Sequence, residues 1–231
     1  MMERYNRQMM LLEIGEEGQA KLKAAKVLIV GVGGLGSPIA LYLAGAGVGT
    51  IGLIDDDVVS ISNLHRQILY SEAQTGELKA LCASMRLKAL NSDIRVNAYP
   101  KRLTEKNVRE LISQYDIVVD GCDNFSTRYL INDVCVELGK PYVYGAICGF
   151  EGQVAVFNYR TNKNYRDLYP SEEEMLSMPP PPKGVIGVTP AITGSIEATE
   201  VIKIINNYDT VLSGKLWTID LRSLQTNIFS L

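Results

Sequence analysis

The chain has 231 residues, of which 46% are apolar and 21% are charged; this composition suits one sizeable α/β domain and argues against two full domains. Its formal net charge is −3 and it contains no long basic run, which argues against a nucleic-acid groove or an anionic membrane surface as its partner. The amino terminus is polar, and no apolar run reaches the roughly 18–20 residues that a membrane span needs, so we expect a cytoplasmic protein.

Cysteine usage argues against a structural metal. The four cysteines are widely spaced, with no C-x-x-C pair and a single histidine in the chain, whereas structural zinc needs four grouped Cys or His ligands. Disulfides are rare in a reducing compartment. We therefore expect no zinc and interpret the cysteines as four buried thiols, namely Cys82, Cys122, Cys135 and Cys148.

The chain begins with a polar arm that carries Arg4 and Arg7, and a helix is predicted over residues 16–25. The arm precedes the first strand, so it need not pack only on its own subunit. The pattern leaves two interpretations open for the arginines: solvated charges on a surface helix, or cations that act at a functional site.

An apolar strand over Lys26–Val30 runs into a glycine-rich turn at residues 31–36 and a helix predicted over residues 37–47. A turn without Cβ atoms lets backbone N–H groups and a helix N-terminus face an anion, so this layout is typical of a nucleotide phosphate site. A second strand over Thr50–Ile54 ends in three aspartates. The first, Asp55, lies about 20 residues beyond the glycines, where a Rossmann-type unit places the acid that binds a ribose hydroxyl.

Residues 62–67, Ser-Asn-Leu-His-Arg-Gln, follow soon after this acidic cluster. They put a guanidinium and two amides beside a site already suited to phosphate and ribose. A redox cofactor has no obvious use for these groups, whereas a triphosphate that is being cleaved does, because charge develops on the departing pyrophosphate. The stretch therefore favours ATP chemistry over dinucleotide chemistry.

The next elements extend a parallel sheet: a helix over residues 77–90, a strand over residues 94–98 and a helix capped by Thr104. Lys79 lies near the N-terminus of the first helix, where it opposes the helix dipole and gains nothing locally. This position favours an external anionic partner for the lysine. The predicted apolar face of that helix consists of Leu78, Leu81, Met85 and Cys82.

A buried strand is predicted over residues 115–120, and it leads into a loop that holds Asp123 and Asn124. In open parallel sheets ligands bind outside the carboxyl ends of the strands, so both side chains should project into the crevice beside the glycine turn. A carboxylate that faces bound phosphates suits Mg²⁺, which prefers hard oxygen ligands. The alternative interpretation makes Asp123 the N-cap of a helix over residues 124–138.

Strands are predicted over residues 141–147 and 152–157, and we expect them to be antiparallel because too few residues separate them for a crossover helix. Residues 159–184 show no periodic apolar face, so we predict a long loop that acts as a lid over the active-site region. A helix over residues 189–206 and a hairpin within residues 215–230 close the chain. The helix is expected to bury Ile192, Ile196, Val201, Ile204 and Ile205.

The predicted fold is α/β, with a Rossmann-like, mostly parallel central sheet flanked by helices, a long crossover loop and C-terminal antiparallel strands. We expect a single domain over residues 1–231. Its parts are a nucleotide-binding core at 26–158, a crossover loop at 159–188, and a C-terminal helix and strands at 189–231.

Several motifs occur together, and their joint order is far more specific than the glycine turn alone. They are Arg4-Tyr-Asn-Arg-Gln8, Gly31-x-Gly-Gly-Leu-Gly36, Asp55-Asp-Asp57, Ser62-Asn-Leu-His-Arg-Gln67, Lys79, Asp120-Gly-Cys-Asp-Asn124 and Gly187-Val-x-Pro190. On these motifs the chain resembles the ThiF/MoeB/HesA adenylyltransferases, bacterial relatives of the ubiquitin-activating enzymes, over nearly its whole length. It resembles ThiF most of all.

The resemblance implies an enzyme that uses MgATP to adenylate the C-terminal glycine carboxylate of a small ubiquitin-like sulfur carrier ending in Gly-Gly, with release of pyrophosphate. It also implies a homodimer, in which Arg7 reaches the site from the second subunit. A ThiS-like carrier of thiamine thiazole synthesis is favoured over a MoaD-like carrier of molybdopterin synthesis, because the chain is short and lacks a C-terminal extension.

By position, the resemblance also assigns residue roles. The catalytic residues it implies are Arg7, Arg66, Lys79 and Asp123, the last as the Mg²⁺ ligand. The nucleotide-binding residues it implies are Gly31, Gly33, Gly34, Gly36, Asp55, Asp57, Asn63, Arg66, Gln67, Lys79 and Asn124.

The chain departs from the family pattern in its cysteines. Family members often carry two C-x-x-C pairs that bind zinc, and some use a crossover-loop cysteine for a covalent link to the carrier. This chain has neither feature, so we expect no zinc and no covalent transfer.

Two competing interpretations stay open. An NAD-dependent oxidoreductase explains the glycines and Asp55 but gives Arg66, Lys79 and Asp123 no role. A non-catalytic scaffold that binds a ubiquitin-like partner is the other.

Overall fold

The computed structural model describes residues 2–179, 182 and 184–231. Within them, the strands β1 to β8 are Lys26–Val30, Thr50–Ile54, Arg95–Tyr99, Ile117–Asp120, Tyr142–Cys148, Glu151–Phe157, Lys215–Asp220 and Gln225–Ser230. The helices α1 to α9 are Met2–Met9, Gly15–Ala24, Gly36–Ala46, Lys79–Leu90, Val108–Ser113, Phe125–Leu138, Tyr165–Leu168, Glu172–Ser177 and Val188–Ile205. None of the helices in this part of the chain combines the length and the apolar character that a bilayer span demands.

All eight strands form one sheet in the order β3-β2-β1-β4-β5-β6-β7-β8. The first five strands of this order run parallel, and β6, β7 and β8 are added antiparallel. The predicted α/β fold, with its C-terminal antiparallel strands, is confirmed. Chain order reverses between β1 and β4, so this gap is the switch point where open α/β sheets bind ligands.

Helices cover both faces of the parallel strands, which is why these strands are apolar without alternation. Val27 and Ile29 of β1 belong to a core shared with α3, α4 and α9. Leu28 and Val30 face the other side, in a core shared with α5 and α6. Burying each such side chain contributes roughly 1.5–3 kcal/mol, so β1 is the strand that ties the two layers together.

The apolar face predicted for α4 is wrong, since only Cys82 of its four residues is buried. Leu78, Leu81 and Met85 are 37%, 44% and 55% exposed. Small side chains face the sheet instead, and they let α4 pack closely on β2 and β3. The outward side chains leave an exposed apolar stripe along the helix. The buried residues of α4 are Lys79, Ala80, Cys82, Ala83, Ser84 and Leu87.

The helix predicted to start at a Thr104 cap begins later, at Val108. The Asn107 side chain accepts a hydrogen bond from the Thr104 backbone N–H at 2.9 Å and donates one to the Arg102 carbonyl at 2.9 Å. These bonds satisfy the backbone in a turn, which competes with a helical start at this position.

The segment predicted as one long loop over residues 159–184 is only partly a loop, because it contains α7 and α8. Tyr165 of α7 is fully buried, and its ring centroid lies 5.0 Å from that of Tyr129 and 5.3 Å from that of Tyr144. The segment is therefore anchored on α6 and β5 at this point. Positions 180, 181 and 183 of the predicted loop lie outside the described residues.

The α9 helix buries a row of polar side chains rather than all of the expected isoleucines. Ile192, predicted in the core, is 37% exposed. Apolar periodicity alone could not find this row. Two of its side chains, Thr193 and Glu197, lie against Gly152 of β6 and Gly145 of β5, where the glycines leave room for polar groups. The buried polar residues of α9 are Thr189, Thr193, Glu197 and Glu200.

Glu197 lies against β5 at Gly145, and neither of its carboxylate oxygens has a hydrogen-bond partner among the described residues. Burial, together with the nearby charge of Asp120, raises the pKa of Glu197 well above its ordinary value, against the opposing effect of Arg128. The unfolded chain ionises this group near pH 4.5, whereas the folded chain retains the proton to a higher pH. Its contribution to stability is therefore complete below that pH and is lost as the pH rises toward the folded-state pKa.

Replacing Glu197 with glutamine is expected to flatten the pH dependence of stability, because the amide has no proton to lose. Urea unfolding at about pH 5 and about pH 8 should show a larger fall in the free energy of unfolding for the native chain than for the variant. Equal falls in both proteins would contradict a neutral Glu197.

Candidate active site

The turn after β1 is closed by backbone contacts that require glycine. Gly31 has φ +86°, in the left-handed region, and its N–H donates to the Ile54 carbonyl at 2.8 Å. A Cβ on Gly36 would lie 2.1 Å from the Gly31 carbonyl oxygen, so α3 begins directly against the turn. The first N–H groups of a helix lack helical acceptors, and this end of α3 is therefore suited to a phosphate.

The loops after β1 and β4 touch each other at the switch point. The N–H of Gly121 donates to the Val30 carbonyl at 2.7 Å, and a Cβ on Gly121 would lie 2.2 Å from the Gly31 carbonyl oxygen. Asp123 and Asn124 follow in the same loop. The strand order thus brings the two predicted residues beside the glycine turn.

Asp55 lies at the end of β2 and fixes the turn with its carboxylate. Its Oδ2 accepts a hydrogen bond from the Val32 N–H and its Oδ1 accepts one from the Asp57 N–H, each at 2.8 Å. Burial raises the pKa of Asp55, although these two donors oppose the rise. Each oxygen keeps a lone pair, so the carboxylate can also accept ribose hydroxyls.

Lys79 pairs with Asp57, so the expectation that it gains nothing locally is wrong. Its Nζ lies 2.9 Å from Asp57 Oδ2, with the lysine side chain 5% and the aspartate 71% exposed. Ligand oxygens of Asp55, Asp56 and Asp57 lie within 4.8 Å of one another, and the ammonium group offsets their charge. A buried lysine stem thus places its cation against Asp57, a carboxylate that is exposed to water, which screens the attraction between the two charges.

Asn63, Arg66 and Gln67 lie on one tight turn beside the glycines. The backbone N–H groups of Arg66 and Gln67 both donate to the Asn63 carbonyl, at 3.0 and 2.9 Å. Gln67 Nε2 lies 3.5 Å from the Cβ position of Gly33, and Arg66 Cδ lies 3.7 Å from that of Gly34. Side chains at these glycines would fill the space between the two turns.

Gln67 is 4% exposed, and its Oε1 has no hydrogen-bond partner among the described residues. A buried acceptor without a donor is costly, and a hydroxyl or amino group of a bound nucleotide would supply one. The Arg66 guanidinium is held on its own turn, where Nη1 donates to the Ser62 carbonyl at 3.3 Å and to His65 Nε2 at 2.8 Å. This guanidinium remains beside the glycine turn with donors to spare.

Asn124, not Asp123, caps α6, so the capping interpretation of Asp123 is wrong. Asn124 Oδ1 accepts hydrogen bonds from the Thr127 N–H and the Ser126 hydroxyl, each at 2.9 Å. The exposed Asp123 meets only the Asn124 amide, at 3.5 Å, among the contacts of the described residues. Its carboxylate is therefore available to a ligand.

These features together fit a nucleoside triphosphate with a hard divalent cation. The glycines leave a cradle that Cβ atoms would fill, Gln67 Oε1 has no donor among the described residues, and Arg66 lies beside Gly34. Lys79 adds a second cation at Asp57, next to the acidic cluster. The Asp123 carboxylate supplies the oxygen chemistry that Mg²⁺ prefers.

Arg7 lies far from the glycine turn of its own chain. A Cβ on Gly47, where α3 ends, would lie 2.6 Å from the ring of Tyr5, and Gln8 Nε2 donates to the Ala46 carbonyl at 2.9 Å. The N-terminal helix therefore packs at the end of α3 opposite the turn, and α3 has 11 residues, a length of about 16 Å. A role for Arg7 at the site requires a second copy of the chain.

The sequence model that describes the ThiF family matches residues 5–231 of the chain. The chain belongs to the ThiF family. The resemblance seen in the sequence is therefore confirmed.

Two curated relatives and one solved structure illustrate the likeness within the ThiF family. The chain is 49% identical over 232 residues to the sulfur carrier protein adenylyltransferase of Thermus thermophilus, covering 95% of this chain and 83% of that protein. It is 46% identical over 217 residues to the probable molybdopterin-synthase adenylyltransferase of Porphyra purpurea, covering 91% and 56%. The crystal structure of E. coli MccB with ATP has a TM-score of 0.85 and 26% identity, covering 98% of this chain and 71% of that chain. The chain spans about half the length of several curated relatives it matches.

Sequence reasoning missed a buried ion pair beside the site of this ThiF-family chain. Asp120, at the end of β4, is fully buried, and its Oδ2 lies 2.9 Å from Arg128 Nε. The available signal was a carboxylate within a continuous apolar strand, followed eight residues later by an arginine. A charge in such a strand requires a partner.

The interpretation of four buried thiols is wrong for Cys148, which is exposed at the end of β5, and Cys122 is only partly buried. Burial raises the pKa of Cys82 to about 11, and Cys135 is also buried. Cys148 lines a groove of about 390 Å³ on the face of β5 to β8. The residue after Cys148 is Gly149, whose carbonyl accepts the Thr189 hydroxyl at 2.9 Å. Pro190, the next residue of α9, lies 3.3 Å from the Cβ position of Gly34.

Proposed function

We propose that the chain is an adenylyltransferase that transfers AMP from ATP to the C-terminal glycine carboxylate of a small ubiquitin-like sulfur carrier. The observation that carries this proposal is the contact of Arg66 and Gln67 with the glycine turn at the switch point. Lys79 joins them through Asp57 and Asp55, because Asp55 binds the N–H groups of both Asp57 and Val32, a residue of that turn. Two cations at this place suit a reaction between two anions, because the carrier carboxylate and the triphosphate repel each other. The name of the Thermus thermophilus relative supports the same assignment.

In the proposed reaction an oxygen of the glycine carboxylate attacks the α-phosphorus, and the bond from that phosphorus to the bridging oxygen of pyrophosphate breaks. The ionised carboxylate is itself the nucleophile, so no protein side chain is acylated and no proton has to be removed. Asp55 would hold the ribose, and Arg66 and Lys79 would stabilise the charge that builds on pyrophosphate. The main task of the protein is alignment.

Asp123 would hold Mg²⁺, and Asn63, Gln67 and Asn124 would complete the polar lining of the nucleotide pocket. The bound ion would supply screening of the phosphate charge. The protein's own contribution is an exposed carboxylate on a loop that is fixed against the glycine turn.

An NAD-dependent oxidoreductase is the weaker candidate. It would use the glycines and Asp55. It would give no role to the two cations, Arg66 and Lys79, or to the exposed carboxylate of Asp123. A non-catalytic scaffold would have no chemical need for the two cations or for the exposed carboxylate. Membership of the ThiF family also favours adenylation over both.

For the carrier we propose a ThiS-like protein of thiamine thiazole synthesis. A MoaD-like carrier is the alternative, and the name of the Porphyra purpurea relative supports it. The extended tail of either carrier would lie in the groove on β5 to β8, which includes Cys148, the residue before the Gly149 that binds Thr189 of α9. The carrier body would rest on β7 and β8, where Ile228 and Phe229 are 61% and 53% exposed.

We also propose a homodimer that pairs the α4 helices. Lys79 lies at the first residue of α4, while the carbonyl of Leu90, the last, accepts a hydrogen bond from Arg4 Nη1 at 2.8 Å. An antiparallel contact across a two-fold axis would therefore bring the partner's α1, with its Arg7, to the Lys79 end of the helix. The exposed apolar stripe on α4 supports this contact.

A Met85→Glu variant is expected to shift the protein from dimer to monomer, because it puts a charge into the apolar stripe of α4, where Met85 is 55% exposed. Light scattering after gel filtration measures the mass. Leu224→Glu is the matched control, since Leu224 is 74% exposed but lies between β7 and β8, at the opposite edge of the sheet from β3. If both variants kept the mass of the native chain, the α4 contact would be wrong.

ATP–pyrophosphate exchange tests the proposed function directly. The purified protein would be assayed in Mg²⁺ buffer with ThiS-like and MoaD-like carriers, each with and without its terminal glycine. Exchange that depends on one carrier's terminal glycine would support adenylation and identify the pathway. A response to NADH, without exchange on any carrier, would favour the oxidoreductase.

A further inference from the structure

Asp123 lies in the loop from Gly121 to Asn124, and its own side chain makes too few contacts to fix the conformation of that loop. Asp123 is exposed, and the one hydrogen-bond contact it makes among the described residues is a 3.5 Å approach of the Asn124 amide. A metal ligand must be held close to its productive position, so the support must come from elsewhere in the loop.

Asp120 supplies part of this support from the end of β4. It is fully buried, and its Oδ1 accepts a hydrogen bond from the Cys122 backbone N–H at 2.9 Å. Its Oδ2 accepts hydrogen bonds from Arg128 Nε at 2.9 Å and from the Tyr142 hydroxyl at 3.1 Å. One carboxylate thus joins the loop, α6 and β5.

Arg128 closes the same network from α6. Its Nη2 donates to the Cys122 carbonyl at 3.0 Å and to the Gly145 carbonyl at 3.2 Å, and its guanidinium lies 5.4 Å from the centre of the Tyr144 ring. Together with Asp120, it therefore binds both the N–H and the carbonyl of Cys122, the residue directly before Asp123.

We propose that Arg128 and Asp120 are positioning residues that hold Asp123 at the nucleotide site. They touch no substrate in this assignment; they fix the backbone of the loop from one side, while the contact between Gly121 and Gly31 fixes it from the other. The proposal rests on the proposed function for its chemistry, because Asp123 is the Mg²⁺ ligand there.

The form of the network argues for positioning rather than for stability alone. A buried ion pair is weak support for a fold, since apolar side chains of similar volume often serve as well. An apolar pair would leave the Cys122 N–H and carbonyl without these partners. A planar guanidinium with several fixed donors can reach a carboxylate and two carbonyls at once, which an ammonium group on a flexible stem does not reproduce.

An Arg128→Lys variant tests the proposal. It keeps the positive charge that pairs with Asp120 and removes the fixed guanidinium donors that bind the Cys122 and Gly145 carbonyls. We expect the dissociation constant of Mn²⁺ from the protein–ATP complex, measured by electron paramagnetic resonance, to rise about tenfold, and kcat to fall about tenfold. The dissociation constant of ATP without divalent ions should change by less than about twofold, because the glycine turn and Gln67 are untouched.

The matched control is Arg166→Lys. Arg166 also binds a carboxylate with two nitrogens, to Asp133 at 2.9 and 2.7 Å, and its guanidinium lies 4.7 Å from the centre of the Tyr129 ring, but these contacts lie away from the loop. We expect Arg166→Lys to leave Mn²⁺ affinity unchanged. Equal Mn²⁺ affinity in the native chain and a folded Arg128→Lys variant would overturn the proposal.

If Arg128→Lys failed to fold, Tyr142→Phe would replace it, since this change removes a single hydroxyl from Asp120 and is expected to weaken Mn²⁺ binding about two- to threefold. Unchanged binding in that variant would count against the proposal. Mn²⁺ binding to the ATP complex needs no carrier. Absence of exchange with every carrier would therefore refute the proposed function. The dissociation constant of Mn²⁺ would still show whether Arg128 and Asp120 position Asp123.

Discussion

An Asp123→Ala variant is expected to lose ATP–pyrophosphate exchange by about 100-fold or more, because it removes the proposed Mg²⁺ ligand at the place where charge builds on the leaving group. Its fold is expected to be intact, since Asp123 is exposed and neither caps α6 nor joins the core. The exchange rate in Mg²⁺ buffer measures the first effect. Circular dichroism and thermal unfolding measure the second.

The neighbouring residue provides the control for stability. Asn124→Ala removes the cap of α6 and is expected to lower the free energy of unfolding by about 1 kcal/mol, a loss that Asp123→Ala should not show. If Asp123→Ala were instead the less stable variant, the residue would have a structural role that the geometry does not reveal. Exchange at the native rate in Asp123→Ala would remove the metal role altogether.

The parts of the fold that the sequence predicts correctly are those whose signals come from residues close together in the chain. β1, the glycine turn and α3 follow from a continuous apolar run, residues that lack Cβ atoms and a helix-forming segment, all close together in the chain. The antiparallel pairing of β5 and β6 follows from the short connection between them. Each of these inferences uses only neighbours in the chain, and none requires knowledge of what packs against the element.

The parts that failed depend on partners distant in the chain. The α4 face was assigned to Leu81 and Met85 because large apolar side chains usually face the core, but the close approach of α4 to the sheet selects small residues instead. Lys79 looked unpartnered because Asp57 lies 22 residues earlier. The burial of the Asp120 and Arg128 pair could not be predicted from sequence, and neither could that of Glu197. A buried charge is recognisable only when its surroundings are known.

Mixing two inactive variants, Arg7→Ala and Asp123→Ala, is expected to restore exchange. In a mixed pair of the proposed homodimer, the site of the Arg7→Ala chain would have its own Asp123 and would receive Arg7 from the other chain, so one of the two sites would be complete. Random pairing of equal amounts makes half of the dimers mixed, which gives about a quarter of the native activity per chain. The exchange rate after co-refolding or co-expression measures this recovery.

The same mixing experiment separates a trans arginine from a cis one. If Arg7 acted within its own chain, each site of the mixed dimer would lack one essential group and no activity would return. That outcome would also require α1 to leave its packing of Tyr5 against Gly47, because the whole length of α3, about 16 Å, lies between this contact and the glycine turn. Mixing Lys79→Ala with Asp123→Ala is the control, since both residues lie at one site of one chain and no dimer could then contain a complete site. Recovery in the first mixture and none in the second would mean that the active site is assembled from two copies, which is the reason for an N-terminal helix that packs so far from the chemistry of its own chain.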